Sequence, residues 1–155
     1  MKKLIYIASS WRNKLQPEVV ARIREAGYEV YDFRHPEPGS EGFSWTQADP
    51  AWVDGTKVNV AGWHMLTMQR IARQGFKLDY DAMKASDACV LVLPAGRSAH
   101  LEAGYFRGFD KRLIVLMPEA QEPDLMYLMA NAVVGTVDEV IGCLDSYYGF
   151  RRSER

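Results

Sequence analysis

Short apolar runs alternate with longer amphipathic stretches along this chain. Five runs have the length of strands, and they fall at residues 4–8, 28–33, 88–93, 112–117 and 132–134. The run at 88–93 is apolar throughout, which is typical of a parallel strand covered on both faces. The stretches between the runs place apolar residues at helical spacing, as Val19, Val20 and Ile23 do in the first of them. The alternation predicts an α/β fold with a five-stranded parallel sheet between two layers of helices.

The stretches predicted as helices are 17–26, 62–73, 76–85, 99–109, 124–130 and 137–148. The segment 34–59 fits neither pattern, because prolines and glycines are scattered through it with Phe43, Trp45 and Trp52 between them. A loop this long inside a compact domain is usually functional or disordered, and its aromatic content argues against disorder. We therefore expect a folded lid or pocket wall. No linker or repeat divides the chain, so residues 1–155 are predicted to form one domain.

Composition and charge narrow the range of partners. The 155 residues are 48% hydrophobic and 25% charged, with a formal net charge of −1, and a nucleic-acid-binding protein would show a basic surplus. The basic run at 151–155 is interrupted by Glu154 and is predicted to be a solvated tail. No apolar run approaches membrane-spanning length, and the run after Lys3 is too short for a signal peptide. We expect a cytoplasmic protein that binds neither nucleic acid nor membrane.

The sequence gives no indication of a metal or cofactor. Cys89 and Cys143 each lie in apolar stretches, so buried free thiols are expected rather than a disulfide or metal ligands. His35 and His64 lack ligand spacing with any Cys or Asp. The absence of a G-x-G-x-x-G motif and of a P-loop argues against a nicotinamide dehydrogenase or a kinase.

Ligands of open parallel sheets bind at the carboxyl ends of the strands. The segments expected there are 8–13, 33–36 and 94–102. In the last of them, a strand, a glycine-containing turn and a helix start form a natural anion site, with Ser98 as the expected N-cap. Glu102 follows, and it either serves chemistry at this edge or only interacts with the dipole of the helix start.

A second carboxylate favours the chemical interpretation. Asp79 is expected to open the helix that leads back to the buried strand, which would bring it near the same edge, whereas Asp81 would point elsewhere on that helix. Asp87 is expected in a turn at the opposite edge. Paired carboxylates recur at glycosidic bonds, where one attacks the anomeric carbon and the other orients or tunes it.

These residues resemble the nucleoside 2-deoxyribosyltransferase family, which includes deoxynucleoside 5′-monophosphate N-glycosidases. The resemblance covers about residues 3 to 117 and rests on Tyr6, on Asp79 with Asp87, and on Glu102 within the segment 100–105, HLEAGY. It implies a flavodoxin-like, Rossmann-like fold and an oligomer. It also implies that Glu102 is the nucleophile of a covalent glycosyl-enzyme intermediate, that Asp79 orients it, and that the Tyr6 hydroxyl touches it. The 94–99 turn and the Trp-rich loop depart from the family's transferases, so N-glycosidic cleavage is better supported than transfer.

Further candidates could bind the substrate. Arg12 and Arg97 either clamp a 5′-phosphate or are surface arginines, and His100 either contacts the ligand or is a polar residue at a helix end. An aromatic residue of the long loop, with Trp45 as our candidate, is expected to stack on a base. The remaining predicted binding residues are Ser9, Ser10, Gly96 and Ser98.

The residues alone leave two questions about the activity open. The residues do not distinguish a hydrolase from a transferase, since the two differ only in what resolves the intermediate. A nucleotide-binding or sensing module without turnover and an NAD-cleaving glycohydrolase are the alternatives, because a fold does not by itself establish an activity. Met and Tyr side chains in the segment 125–134 favour a homodimer.

Overall fold

A five-stranded, all-parallel sheet organises the computed structural model, which describes residues 2–149. The strand order is β2-β1-β3-β4-β5, which confirms the predicted flavodoxin-like α/β fold. The predicted tail at 151–155 lies outside the described residues. The strands are β1 Leu4–Ala8, β2 Glu29–Asp32, β3 Ala88–Val92, β4 Arg112–Leu116 and β5 Ala132–Val134.

Helices cover both faces of this sheet. Residues 2–149 form six α-helices in the two parts of the chain, α1 Gln16–Glu25, α2 Trp45–Ala48, α3 Val60–Thr67, α4 Arg70–Ala85, α5 Arg97–Gly108 and α6 Val137–Tyr148, and a 3₁₀ helix spans Leu125–Met129. Helices α1 and α6 share one hydrophobic core with Ile5, Ile7, Val90 and Ile114. Helix α5 contacts β1, β3 and β4. Since alternate strand residues point to opposite faces, Tyr6 and Cys89, which are paired in register, belong to the face away from that core.

The chain divides into two compact units. The first unit runs to Asp32 and resumes at Ala85, so it contains the whole sheet, whereas the second unit spans Phe33–Lys84. The second unit includes the segment 34–59, which carries the four-residue helix α2. The single domain over 1–155 stays a prediction.

Two predicted helix boundaries were wrong, and both affect site residues. Helix α5 begins at Arg97 with Gly96 as its N-cap, so Ser98 lies inside the helix and is not the cap. Helix α4 starts at Arg70 and runs without a break through Gly75, so Asp79 lies in its middle and does not open a helix. The break between α3 and α4 falls at Met68 and Gln69, six residues before the predicted one.

Among residues 2–149, none of the helices is both long and apolar enough to cross a membrane.

Candidate functional site

Glu102 lies on the face of α5 that packs against the sheet. Ala99, Ala103 and Phe106 are the buried residues of this helix, and Glu102 is three residues after the first and four before the last. Residues with this spacing share one stripe of a helix. Glu102 is half-buried, at a position where helix packing alone would favour an apolar side chain.

The position of Glu102 along α5 excludes a capping role. Because the helix begins at Arg97, Glu102 is its sixth residue, and the first turn contains no acidic residue. The interaction of a carboxylate with the helix dipole falls off within the first turn. The dipole interpretation of Glu102, which assumed a later helix start, is therefore wrong.

Tyr6 and Cys89 lie side by side on the sheet face that α5 covers. Both are fully buried, and the Tyr6 ring contacts Phe106 of α5 with ring centroids 5.6 Å apart and stacks on Tyr31 at 5.3 Å. Burial raises the pKa of the Cys89 thiol well above its usual value, and the negative charge of Glu102 raises it further. Glu102 is thus close enough to Cys89 to act on it electrostatically, beside a thiol that stays neutral.

The loops after β1 and β3 are joined by side-chain hydrogen bonds. The Ser9 hydroxyl donates to the Val92 carbonyl at 2.9 Å. The Asn13 amide donates to the carbonyls of Val92 and Pro94, both at 3.2 Å, and its oxygen accepts from the Leu15 amide. Two of the predicted ligand segments therefore meet at one edge of the sheet.

Asn13 was missed by the sequence analysis, as was the buried pair of Gln16 and Asp32 at the end of β2. Gln16 donates to Asp32 at 2.7 Å, and both side chains are buried. The available signal was local, because an Asn side chain commonly hydrogen-bonds the backbone two residues further on, as Asn13 does with the Leu15 amide just before α1. Its bonds across the sheet edge had no signal in the sequence.

The turn from Gly96 to Ser98 is exposed at the start of α5, and so is Arg12 on the neighbouring loop. A Cβ atom added at Gly96 would meet nothing within 4 Å, so the space beside this turn is open. Ser10 accepts a hydrogen bond from the Arg12 amide at 3.2 Å. The single hydroxyl hydrogen of Ser9 is used on Val92, so Ser9 would have to release that bond to donate to a ligand.

His100 makes two hydrogen bonds within the first unit. Its Nδ1 is 2.8 Å from the Gly96 carbonyl and its Nε2 is 2.9 Å from the Tyr127 hydroxyl. The ring also stacks on Tyr127, with ring centroids 5.9 Å apart. A direct contact between His100 and the substrate stays a prediction.

The second unit has a cavity of its own, with a volume of about 390 Å³. Asp79 lines it together with Phe43, and Trp45 packs edge-on against Phe43 at 5.0 Å. The stacking role predicted for Trp45 is untested, and the aromatic side chains at the wall are Phe33 and Phe43. Polar lining residues that the sequence analysis did not single out are Glu37, Ser40, Gln47, Gln74 and Lys77.

The segment 34–59 supplies much of this wall, as expected for a folded pocket wall. Asp79 belongs to the second unit and Glu102 to the first, and their pairing stays a prediction. Both cysteines are free thiols, Cys89 buried and Cys143 half-buried. Within the described part of the chain, no cluster of three or more His, Cys, Asp or Glu side chains could hold a metal ion.

Solved structures with a similar fold include two enzymes. One is a CMP N-glycosidase, BcmB, from Clostridium botulinum, with a TM-score of 0.51 and 19% identity over 92% of this chain and 99% of that chain. Another is a 2-deoxyribosyltransferase from Bacillus psychrosaccharolyticus, with a TM-score of 0.55 and 18% identity over 89% of this chain and 90% of that chain. The chain shares their fold.

A conserved protein from Enterococcus faecalis V583 is also similar, with a TM-score of 0.50 and 12% identity over 95% of this chain and 99% of that chain. No family model matches the sequence, and no curated protein matches it. One of these enzymes is thus a nucleotide N-glycosidase and another a deoxyribosyltransferase.

Proposed function

We propose that this protein cleaves the N-glycosidic bond of a nucleoside or a nucleoside 5′-monophosphate, with Glu102 as the attacking carboxylate. The observation that carries the proposal is the half-buried position of Glu102 on the sheet-facing stripe of α5, beside Cys89. Partial burial of a charged side chain is costly, and the helix start does not explain it. Ionisable groups held in this way are candidates for functional sites.

The shared fold supports the same chemistry. Two of the structural neighbours are an N-glycosidase and a deoxyribosyltransferase, and both activities act at the anomeric carbon of a nucleoside or nucleotide. The order of Tyr6, Asp79, Asp87 and Glu102 in the sequence resembles the same family. The fold and the sequence motif therefore both support a reaction at the N-glycosidic bond.

The proposed reaction has two steps. A carboxylate oxygen of Glu102 attacks C1′, and the bond from C1′ to the base nitrogen breaks with its electron pair moving to the base, which gains a proton. The resulting ester is then attacked at C1′ by water or by a second base, which gives up a proton, and the C1′–O bond to Glu102 breaks with its electron pair returning to the carboxylate. Tyr6 and Asp79 are the proposed positioning groups, and no cofactor is needed.

The edge formed by the loops after β1 and β3 is the proposed binding site for a 5′-phosphate. Arg12, Arg97 and Ser98 are exposed there, beside the amide groups of the first turn of α5 and the open space at Gly96. Helix N-termini and arginine side chains both favour phosphate. A nucleoside 5′-monophosphate is therefore the preferred substrate in this proposal.

The apolar surface of the 3₁₀ helix is the proposed homodimer contact. Leu125 and Leu128 are 76% and 82% exposed, and Met126 is 60% exposed. A continuous group of exposed apolar side chains is uncommon on a small monomer and marks interaction sites. Strand β5 is the adjacent edge of the sheet.

A panel of deoxynucleosides, ribonucleosides, their 5′-monophosphates and NAD, analysed for released base, tests the function. We expect base release from a nucleoside 5′-monophosphate, and a loss of about a thousandfold or more in rate for Glu102→Gln. The exposed glutamate Glu18 of α1 gives the matched control, and Glu18→Gln should retain the wild-type rate. A 2′-fluoro substrate analogue should leave a sugar adduct on Glu102, detected by peptide mass mapping.

Other outcomes would identify the alternatives. Tight nucleotide binding that survives Glu102→Ala, without base release from any compound, would make the protein a sensing module. Cleavage of NAD alone would make it an NAD glycohydrolase. Wild-type rates for Glu102→Gln would exclude this residue as the nucleophile.

A further inference from the structure

The 3₁₀ helix Leu125–Met129 is fastened to α5 at two places. Arg107 donates to the Met129 carbonyl at 2.8 Å and to the Lys111 carbonyl at 2.7 Å. Near the other end of α5, His100 and Tyr127 are joined by a hydrogen bond and by ring stacking. The first attachment fixes the end of α5, and the second reaches its beginning.

Donor and acceptor roles along the second attachment follow from the chemistry of the groups. The Gly96 carbonyl can only accept, so His100 Nδ1 carries the hydrogen and donates to it at 2.8 Å. In the neutral imidazole, Nε2 is then an acceptor, and the Tyr127 hydroxyl donates to it at 2.9 Å. One chain of hydrogen bonds thus runs from Tyr127 through His100 to Gly96.

The Tyr127 hydroxyl is well suited to act as a permanent donor. Partial burial raises the pKa of Tyr127 above its usual value, while a hydrogen bond with Gln121 opposes the rise and the charge of Asp124 adds to it. The hydroxyl therefore keeps its hydrogen throughout the neutral range. Its ring stacks on the imidazole with an interplanar angle of 16°, so the two side chains support each other's orientation.

The start of α5, at the Gly96 end of these hydrogen bonds, has no side-chain cap. Gly96 is the N-cap of α5, and a glycine contributes no side chain to a cap. The first helical hydrogen bond, from the His100 amide to the Gly96 carbonyl, is 3.3 Å long, near the outer limit for such a bond. The shorter bond to the same carbonyl comes from the imidazole.

We propose that Tyr127 is a positioning residue that acts through His100 to hold the Gly96–Ser98 turn in the geometry that receives the 5′-phosphate of the substrate. The inference rests on the proposed function and extends it to a residue outside the substrate site. His100 in this arrangement is also a positioning residue, because both of its ring nitrogens are already used. Losing the Tyr127 hydroxyl removes one of the two hydrogen bonds that orient the His100 ring, so the amides and the Arg97 side chain at the start of α5 are held less firmly.

Tyr127→Phe tests the proposal, because it removes only the hydroxyl and keeps the ring. The matched control is Tyr28→Phe, which removes another hydroxyl of the first unit, one that bonds Asp145 at 2.7 Å. We expect Tyr127→Phe to raise KM for the nucleoside 5′-monophosphate about tenfold, with little change in kcat or in KM for the free nucleoside. By NMR, the His100 amide should exchange with solvent faster in this variant and not in Tyr28→Phe.

Two substitutions of His100 distinguish its hydrogen bond with Gly96 from its hydrogen bond with Tyr127. In His100→Asn the amide nitrogen replaces Nδ1 as donor and retains the Gly96 contact, whereas in His100→Gln the amide oxygen replaces Nε2 as acceptor and retains the Tyr127 contact. Both should raise KM for the monophosphate, because each variant loses one of the two hydrogen bonds that connect Tyr127 to Gly96. If His100 instead touched the substrate directly, these two variants would raise KM while Tyr127→Phe would not, and the proposal would be overturned.

The remaining outcomes distinguish this inference from the proposed function. An active wild-type enzyme in which Tyr127→Phe and Tyr28→Phe are indistinguishable in KM and in amide exchange would overturn the role of Tyr127 alone. A wild-type enzyme with equal kcat/KM for nucleoside and monophosphate would also overturn it. Failure of the wild-type protein to release base from any substrate would overturn the proposed function, and this role of Tyr127 with it.

Discussion

Asp79 and Asp81 lie two residues apart on α4 and have different surroundings. Asp79 lines the cavity of the second unit. Asp81 forms ion pairs with Lys77 and, at 2.7 Å, with Lys84. Hydrogen bonds from Lys77, and to a smaller extent from Lys84, lower the pKa of Asp81 from 3.8 to about 2. Because this pKa is lowered by folding, the stabilising effect of Asp81 is present at neutral pH and is lost as the pH falls through about 2.

The two aspartates should therefore respond differently to the same substitution. We expect Asp79→Asn to lower kcat at pH 7 by about a hundredfold, less than the loss of a nucleophile, because an orienting carboxylate contributes less than the attacking one. Asp81→Asn should change kcat less than about twofold, because Asp81 has no proposed role in the reaction. Its exposed ion pairs also contribute little to stability. Base-release kinetics on both variants provide the measurement. A larger loss of kcat in Asp81→Asn than in Asp79→Asn would show that the orienting role belongs to Asp81 and not to Asp79.

The sequence indicated Glu102 and Tyr6 because their residue types and order resemble a family motif, and the structure puts them on helix α5 and on the sheet face that α5 covers. Ser98 was misassigned as a cap because capping preference is a local signal, while the start of α5 is set by the turn at Gly96. Asn13 and Gln16 act through partners far along the chain, and no local pattern encodes those contacts.

At the level of elements, Gly75 shows why the break between α3 and α4 was predicted beside it and not at Met68 and Gln69. Glycine lowers helix propensity, so a break near it was a natural expectation, yet α4 continues through it. A Cβ atom at this position would lie 2.8 Å from the Cβ and 2.9 Å from the Cγ of Phe43. The glycine is explained by this tertiary contact, which the sequence pattern cannot reveal.

Gly75→Ala should therefore destabilise the protein, although alanine favours helices. We expect a decrease of about 1–3 kcal/mol in the free energy of unfolding, the usual cost of forcing extra volume into a packed site. Gly142→Ala in α6 is the control, because a Cβ there meets nothing within 4 Å, and it should raise the same free energy by up to about 1 kcal/mol. Urea denaturation measures both. A gain in stability for Gly75→Ala would show that Phe43 can move aside.

The strands and α6 were predicted almost to the residue, because buried strands and a capped amphipathic helix both leave strong patterns. Thr136 and Glu139 form a capping box at the start of α6, a signal that lies wholly within four consecutive residues. The division at Phe33 and Lys84 left no comparable signal. A compact unit is defined by contacts between distant residues, whereas a strand or a capped helix is defined by near ones.

At the scale of the whole molecule, the proposed homodimer can be tested directly. Burying the exposed leucines of the 3₁₀ helix would drive association, so light scattering at micromolar concentration should give twice the monomer mass. Leu128→Asp should shift the protein to the monomer, because a charge at the centre of an apolar contact is costly. Val53→Asp places the same charge at a 68% exposed position in the second unit and should leave the dimer intact. A monomeric wild-type protein would reject the dimer.

The hydrogen bonds of Asn13 to Val92 and Pro94 have a thermodynamic consequence for ligand binding. They hold two loops of one sheet edge together before any ligand arrives. A ligand that contacts both loops then loses little affinity to their ordering, since immobilising mobile segments is a main cost of association. Binding at this edge should accordingly resemble docking to a preformed surface, with most of the entropy change coming from released water and from the ligand itself.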